Sequence, residues 1–433
     1  MNAKVNNYFE RTGRLTRVQG SIHAHLPAAI GEFLWVRDSA GQLIPAEAIG
    51  FDTDNVQIMP LIANCKLQKD DLVIATGQEM TIPVGPELLG RVLDAMAQPI
   101  DGKGNLVTDQ KVSLKMLAPN PLQRTEIEQP FETGIRAIDS LLTIGRGQRV
   151  GIFAGSGVGK STLLGNIARH AESDVNIVSL VGERGREVRP FIEKSLGDGI
   201  KKSVLIVSTS DESALARVRS VDTAIAIADW FRSSGKNVLL MMDSITRYAT
   251  AQRELGLLLG EPPTSRGYPP RVFQQMACKL EQMGTSSTGS ITALITVLVD
   301  GDDMNNPVAD SARSILDGHI VLDRKIAERG HFPAIDVLAS VSRLAKNLVP
   351  DSHNQQATTV RSTLALYREV EDLINIGAYH QGNNLRSDHA IACMPRVIQF
   401  LTQNGEKVGF AESRELLSKL SSECRVSSAG SDQ

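Results

Sequence analysis

Basic residues are slightly outnumbered in this sequence, and aromatic residues are scarce. The 433 residues include 46 Lys and Arg against 49 Asp and Glu, and Phe, Trp and Tyr together make up 4%. Proteins that bind nucleic acids usually present a basic surface and stack bases on aromatic side chains. Neither feature is evident, and there is no Lys/Arg-rich run. No nucleic-acid partner is therefore expected.

Cysteine is also rare, and its spacing excludes two kinds of scaffold. The chain has four cysteines, scattered singly without a CxxC pair: Cys65, Cys278, Cys393 and Cys424. This pattern argues against a disulfide framework and a zinc knuckle, and it is typical of a reducing cytosol.

Long apolar runs are missing as well. The first residues, MNAKVNNYFERTGRLTRV, lack the apolar core of about 7–15 residues that a signal peptide needs. No uninterrupted apolar run approaches the roughly 18 residues of a membrane-spanning helix. We expect a cytoplasmic protein that could dock peripherally on a membrane machine.

The length and the turn signals predict several domains. At roughly 150 residues per domain, the chain can form two or three. Residues 1–88 contain short β-favouring runs such as EFLWV, NVQIMPLI and LVIATG, broken by DSAGQ and FDTD. They predict a small β-barrel or sandwich. The preceding YFERTGRLTRV fits either an amphipathic docking segment or the first barrel strand.

From about residue 130 onward, apolar runs alternate with helix-like segments. QRVGIF, VNIVSLV, SVLIVST, NVLLMM and SITALITVLV are separated by stretches such as KSTLLGNIARHA. This alternation predicts an α/β domain with a mostly parallel sheet between helices. Strand patterns stop near residue 350. We therefore predict a β-barrel over 1–88, the α/β domain over 89–348 with a leading linker at 89–130, and a helical domain over 349–433.

The stretch AGSGVGKST fits the phosphate-loop pattern G-x-x-x-x-G-K-[ST], except that an alanine occupies the first glycine position. It lies between a strand and a helix, where backbone N–H groups converge on phosphates. A glycine turn with a solvated lysine remains the alternative. A dinucleotide fold is disfavoured because lysine follows G-x-G-x-G. The candidate nucleotide-binding residues are Ala154, Gly155, Ser156, Gly157, Val158, Gly159, Lys160, Ser161 and Thr162.

Two acidic residues follow predicted strands at the same edge of the sheet as this loop. Asp243 ends NVLLMMD, where an acid can hold the Mg²⁺ shell of a bound nucleotide. Glu183, in GERGRE, could polarise the water that attacks the γ-phosphate. Strand-terminal aspartates are common, however, and Glu183 could equally form a surface salt bridge. Both alternatives remain open from these residues alone.

The order of the phosphate loop, GERGRE and MMDSITRY resembles the catalytic subunits of rotary ATP synthases. AQRELGLLLGEPPTSRGYPPRVF and VLVDGDDMNNPVADSARSILDGHIVLDRKIAERGHFPAIDVLASVSRL resemble, more narrowly, the type III secretion and flagellar protein export ATPases. The resemblance covers nearly the whole chain. It implies an N-terminal β-barrel, a central P-loop parallel-sheet domain of RecA/F1 type and a C-terminal helical domain.

The resemblance also assigns roles to individual residues. Arg343 matches an arginine finger supplied by the neighbouring subunit, a contribution worth about 10³ to 10⁵ in rate. Phe332 matches an aromatic residue that packs on adenine. The other implied roles are phosphate and Mg²⁺ binding by Lys160 and Ser161, general base for Glu183, γ-phosphate contact for Arg184, Mg²⁺-shell ligand for Asp243, and the basic residue of its segment for Arg247.

The resemblance implies ATP and Mg²⁺ as ligands and a homohexameric ring as the working form. The implied task is chaperone release, unfolding and export of substrate proteins at the cytoplasmic face of the inner membrane. A central stalk protein and a stator-like regulator are the implied partners. GEPPTSRGYPP and PVGPELLGRV resemble flagellar members more than virulence members.

Three alternatives remain at this point. A catalytic subunit of a rotary ATP synthase shares the site, but DGDDMNNPVAD and GYPPRVF favour the export branch. A non-catalytic nucleotide-binding subunit is disfavoured because residue 183 is a carboxylate. A hexameric RNA translocase would need a basic, aromatic barrel. One segment departs from the export family: Arg271 and the following FQQMACKLEQMG replace a Leu-Pro-rich helix that faces the ring pore in the family.

Overall fold

The computed structural model describes residues 11–18, 21–299, 303, 306–382 and 384–425. The first described strands close into an antiparallel barrel in the order β1-β2-β5-β4-β3-β6, with β6 pairing back onto β1. The six strands are β1 (Arg11–Arg17), β2 (Ile22–His25), β3 (Glu32–Arg37), β4 (Leu43–Asp52), β5 (Asn55–Pro60) and β6 (Leu72–Glu79).

Alternation of side chains explains why these residues form a barrel. In β3 and β5 every second residue is buried, so one face of each strand fills the barrel interior with residues such as Leu34, Val36 and Ile58. The predicted barrel is therefore confirmed. Arg11–Arg17 is a barrel strand, and β4 was not among the predicted strands because LIPAEAIGFD lacks a clear alternation.

Short strands follow the barrel strands, the first within residues 1–88 and the next two in the segment 89–130 that was predicted as a linker. These are β7 (Thr81–Pro83), β8 (Val92–Leu93) and β9 (Lys111–Ser113), of which β7 and β9 pair with each other. The segment is thus partly built into the fold. The proposed domain boundaries at 88/89 and 348/349 stay predictions.

Ten further strands lie in the described part of the central domain. They are β10 (Pro130–Phe131), β11 (Ile144–Gly145), β12 (Arg149–Ala154), β13 (Val175–Glu183), β14 (Ser203–Thr209), β15 (Asn237–Asp243), β16 (Gly284–Thr285), β17 (Ser290–Leu298), β18 (Gly318–Leu322) and β19 (Ile335–Ser342). The main sheet has the order β19-β18-β12-β17-β15-β13-β14-β8. Its pairs are parallel except at β19, which runs antiparallel to β18, and at β16, which pairs with β17.

Helices cover both faces of this sheet, as the alternating pattern predicted. They are α1 (Arg136–Leu141), α2 (Lys160–His170), α3 (Gly185–Pro190), α4 (Ala214–Ser233), α5 (Ile245–Leu258), α6 (Pro270–Glu281), α7 (Pro307–Ile315), α8 (Arg324–Glu328) and α9 (Ala345–Leu348). Strand β13 is almost wholly buried, because helices shield a parallel sheet on both sides. Side chains of Ser213 and Ser244 cap α4 and α5.

The last described residues form three helices: α10 (Asp351–Asn375), α11 (Leu385–Leu401) and α12 (Phe410–Glu423). Their apolar faces pack on one another and on the central domain, sharing a core with α2 that includes Leu164, Val397 and Leu417. The C-terminal helical prediction is confirmed. None of the helices in the described ranges is both long and apolar enough to cross a bilayer.

A buried charge cluster joins the barrel to the central domain. Arg219 of α4 pairs with Glu47 of β4, and it also donates to Asp222 of its own helix at 2.5 Å. Lys279 of α6 lies 2.8 Å from Asp222. Arg219 therefore links the barrel strand β4 to α4, and Asp222 links α4 to α6 through Lys279.

Candidate nucleotide site

The phosphate loop lies between β12 and α2, at the carboxyl edge of the parallel sheet. Ala154 ends β12 as an ordinary strand residue, paired with Leu298 on one side and Leu322 on the other. An alanine therefore satisfies this position. Gly157 and Gly159 have φ of 80° and 87°, values that favour glycine, and Gly159 is the N-cap of α2.

The helix start supplies unpaired donors to this loop. The first N–H groups of α2 have no partner within the helix, and the macrodipole adds positive potential at the same end. Ser156, Ser161 and Thr162 are exposed around the loop, whereas Val158 is buried and anchors it in the core. The nine predicted residues thus run from the buried end of β12 through a turn into the first residues of α2, a geometry suited to binding a phosphate chain.

The structure brings the predicted lysine and the two predicted carboxylates together. Lys160 Nζ lies 2.5 Å from Asp243 Oδ1 and 3.7 Å from Glu183 Oε1. The hydroxyl of Thr296, in β17, donates to the same Asp243 oxygen at 2.7 Å. β12, β13, β15 and β17 are adjacent parallel strands, so their carboxyl ends converge on this cluster.

The electrostatics of Glu183 differ from those of a surface carboxylate. Burial raises the pKa of Glu183, the negative charge of Asp243 raises it further, and the charges of Lys160 and Arg247 oppose the rise. Arg247, in α5, packs its stem against Gly182, where an added Cβ would lie 3.2 Å away. Its buried Nε has no hydrogen-bond partner among the residues that the structure describes.

A cavity of about 410 Å³ adjoins the phosphate loop. Phe332 forms one wall and is 40% exposed, with its ring close to Gly159. The loop after α11 also lines the cavity, and Gln403 N donates to Phe332 O at 2.8 Å. Gln403 also accepts from Arg136 N at 2.8 Å, which ties this wall to α1. The cavity, hereafter the base pocket, also includes Thr162, Asn166, Arg169 and Gly405.

Two predicted arginines lie away from this cluster. Arg184 directly follows Glu183 at the N-cap position of α3, but its side chain is 63% exposed, with Nη1 3.5 Å from Glu187 Oε1. Arg343 follows β19 and is exposed, with Nη2 donating to Arg313 O at 3.1 Å. Neither contacts the phosphate loop in the isolated chain.

The strand register fixes how far Arg343 lies from the loop. Ser342 pairs with Gly318, which pairs with Val150 near the start of β12, whereas Ala154 is four residues further along β12. At about 3.3 Å per residue this is about 13 Å of backbone, before the loop itself is added. Arg343 therefore lies at the amino edge of the sheet, opposite the loop of its own chain.

Some residues of the site were not found from the sequence. Thr296 lies in an apolar run, ALIT, where a threonine is compatible with any β-strand. Asn166, Arg169 and Gln403 belong to helical or loop segments far apart in the chain. No spacing rule joins residues of α2 to residues after α11.

Comparison with known proteins agrees with this geometry. Residues 134–342 match the family model described as the ATP synthase alpha/beta family, nucleotide-binding domain, and residues 349–419 match the T3SS EscN ATPase C-terminal domain. The fold and the phosphate loop thus define a nucleotide-binding ATPase of the ATP synthase type.

Individual relatives narrow this class. The chain is 48% identical over 414 residues to the flagellum-specific ATP synthase of Bacillus subtilis, covering 94% of each chain. The assembled ATPase EscN of the enteropathogenic E. coli type III secretion system superposes with a TM-score of 0.89 at 43% identity, covering 94% of this chain and 100% of that one. A structure of EscN in complex with its central stalk EscO superposes with a TM-score of 0.87 at 42% identity, and it covers the same shares of the two chains. The chain belongs to the type III secretion and flagellar export ATPases, and it is an enzyme that hydrolyses ATP.

Proposed function

We propose that this chain works as a homohexameric ring in which each nucleotide site is completed by Arg343 of the neighbouring subunit. The observation that carries the proposal is the position of Arg343, exposed at the amino edge of the sheet while the loop lies at the carboxyl edge. An arginine so placed can act on a nucleotide only across an interface. The assembled state of EscN supports a ring.

Within each site the residues have different proposed roles. The phosphate-loop N–H groups and Lys160 hold the phosphates of ATP, and Arg184 turns from solvent to the γ-phosphate. Glu183 accepts a proton from the attacking water, for which its buried position and raised pKa suit it. Phe332 packs on the adenine. A non-catalytic role is disfavoured because the carboxylate of Glu183 lies beside the phosphate loop.

The donor set also fits Mg²⁺. The Ser161 hydroxyl and the Asp243 carboxylate are hard oxygen ligands, and Asp243 already attracts a cation, the ammonium group of Lys160, at 2.5 Å. Ser161 would bind the ion directly and Asp243 through its water shell. When bound, the ion neutralises charge on the phosphates.

The cellular role follows from the family. We propose a cytoplasmic ATPase, peripheral to the inner membrane, that releases chaperones from export substrates and unfolds those substrates. A central stalk protein would occupy the ring, as EscO does with EscN, and a stator-like regulator would attach it to the apparatus. The segments GEPPTSRGYPP and PVGPELLGRV favour a flagellar system over a virulence system.

The test is the ATPase rate of four samples measured over a range of protein concentrations. They are wild type, Glu183→Gln, Arg343→Ala, and an equimolar mixture of the two variants. Each variant alone should lose about 10³-fold or more in rate. The mixture should regain part of it, because some interfaces then combine an intact Glu183 with an intact Arg343. Wild-type specific activity should rise with concentration.

Arg386→Ala is the matched control, because Arg386 is also exposed but lies on α11, away from the site. It should retain wild-type activity. A fully active Arg343→Ala variant, or a mixture no more active than its components, would contradict the shared site. Binding of ADP by the inactive variants, measured by calorimetry, separates lost catalysis from lost binding.

A further inference from the structure

We propose that Thr296 is a positioning residue for ATP hydrolysis, whose buried hydroxyl holds the carboxylate of Asp243 in one orientation. The inference rests on the proposed roles of Asp243 and Lys160 at the nucleotide site. It goes beyond them by identifying the group that holds Asp243 when Lys160 turns to the phosphates. Thr296 acts through Asp243 rather than on the nucleotide.

The strand that carries Thr296 lies between two strands that carry the site. β17 is paired with β12, which leads into the phosphate loop, and with β15, which ends at Asp243. Two residues after Thr296, Leu298 N donates to Thr246 Oγ1 in the first turn of α5 at 2.9 Å. The end of β17 is therefore fixed to both strands and to the helix that follows Asp243, so the side chain of Thr296 has a defined position.

Thr296 is a polar residue at a wholly buried position. None of its surface is exposed, and its neighbours in the strand, Ile295 and Val297, are apolar and equally buried. A valine would have nearly the same shape here, whereas a buried hydroxyl is costly unless it forms a hydrogen bond. Its acceptors are Asp243 Oδ1 at 2.7 Å and Met242 O at 3.2 Å. A hydroxyl donates one hydrogen, and the shorter contact to the charged carboxylate is the stronger of the two.

The two oxygens of the Asp243 carboxylate have different surroundings. Oδ1 accepts from Thr296 at 2.7 Å and from Lys160 Nζ at 2.5 Å. Oδ2 receives no hydrogen bond from a residue in the described ranges. Because both donors share one oxygen, the other is left for ligands that the chain does not supply. This arrangement suits a carboxylate that is proposed to act on the water shell of Mg²⁺.

Lys160 cannot hold this orientation throughout the reaction. In the proposed function its ammonium group binds the phosphates of ATP, which compete with its contact to Asp243. The last torsion of an aspartate side chain has a broad energy minimum, so a carboxylate without a fixed donor can rotate. The hydroxyl of Thr296 meets no such competitor, since it is enclosed within the sheet. It therefore keeps Asp243 in place after the lysine has turned away.

The experiment measures how much Mg²⁺ strengthens the binding of ADP. Calorimetry gives the dissociation constants in EDTA and in magnesium for wild type, Thr296→Val and Thr296→Ser, and the quotient of the two constants is compared. In Thr296→Val the quotient should fall about tenfold, the scale of one hydrogen bond to a charged group. The constant in EDTA should stay close to that of wild type. Thr296→Ser keeps the hydroxyl and should retain most of the quotient, and kcat should follow the same order.

Thr292→Val is the matched control for this substitution. Thr292 lies in the same strand, is 1% exposed, and its hydroxyl accepts from Gly147 N at 2.9 Å. The control loses a buried hydrogen bond four residues, or about 13 Å, from Thr296. It should be less stable in urea with an unchanged quotient. An equal fall in the quotient of the control would overturn the positioning role, because it would reflect a general loss of structure.

An unchanged quotient in Thr296→Val, or equal losses in the valine and serine variants, would also overturn the positioning role while wild type keeps its quotient. A wild-type quotient of one would instead refute the proposed Mg²⁺ shell of Asp243, and failure of wild type to bind ADP would refute the nucleotide site, each together with this inference. Should Thr296→Val not fold, Thr296→Ala compared with Thr296→Ser decides the same question.

Discussion

Replacing Lys160 with methionine tests whether this buried cation compensates the charges of the two buried carboxylates of the site. Lys160, Glu183 and Asp243 have side chains only 13%, 15% and 5% exposed. Methionine has a similar length but no charge. Removing one partner of a buried ion pair costs about 3–5 kcal/mol, because the remaining charge is left uncompensated. Lys160→Met should lose about that much free energy of unfolding at pH 8 without nucleotide.

The loss of unfolding free energy in Lys160→Met should depend on pH. Lys160 opposes the rise in the pKa of Glu183, so its removal raises that pKa further. A carboxyl with a raised folded pKa destabilises the protein above its unfolded pKa, and the cost grows as the pH rises through the folded value. The difference in the free energy of unfolding between the variant and wild type should therefore be largest at pH 8 and decrease towards pH 5.

Lys115→Met is the matched control. Lys115 also forms an ion pair, 2.9 Å from Glu79, but the two side chains are 73% and 42% exposed. Such a surface pair is worth less than about 1 kcal/mol. Urea denaturation of both variants and wild type, at pH 8 and pH 5, provides the comparison. Equal effects of the two substitutions, or a pH-independent loss in Lys160→Met, would refute the buried-charge argument.

Three further outcomes are expected. Phe332→Ser should weaken ADP binding about tenfold by calorimetry, because a large apolar contact is lost, whereas Leu385→Ser on exposed α11 should not. Arg219→Met should lose about 3–5 kcal/mol of unfolding free energy in urea, since it leaves Glu47 as a buried charge without its cation, whereas Asp222 keeps Lys279; an unchanged midpoint would contradict this. The acid limb of the kcat/KM profile, which reports the free enzyme, should lie at a higher pH than an ordinary glutamate gives, because the pKa of Glu183 is raised; a limb at the ordinary value would count against Glu183 as the base.

The central site was largely predictable because its parts follow local rules. A phosphate loop needs glycines, a lysine and a hydroxyl within one turn, and Ala154 was acceptable because the first position remains in β12. Asp243 and Glu183 end apolar strands, and parallel strands present their carboxyl ends at one edge. The structure accordingly places both carboxylates beside Lys160.

Other features depend on distant contacts that no local pattern contains. β8 is two residues long and joins the sheet only because β14 offers a free edge. Thr296 acts on Asp243 because β15 and β17 are neighbours, which strand spacing alone does not reveal. The role of Arg343 was inferred from resemblance, and only the register of β19 shows that this residue lies at the edge of the sheet opposite the phosphate loop of its own chain.

The closed barrel has a consequence for assembly. Sheets with open edges expose unpaired N–H and C=O groups that can recruit a further strand from another molecule. Here each of the six described strands has two neighbours, since β6 returns to β1. Adjacent barrels in a ring therefore cannot join their sheets through these six described strands. Contacts made by side chains can break and re-form as subunits move. The described strands also offer no open edge for aggregation by strand addition when many copies are concentrated at one place.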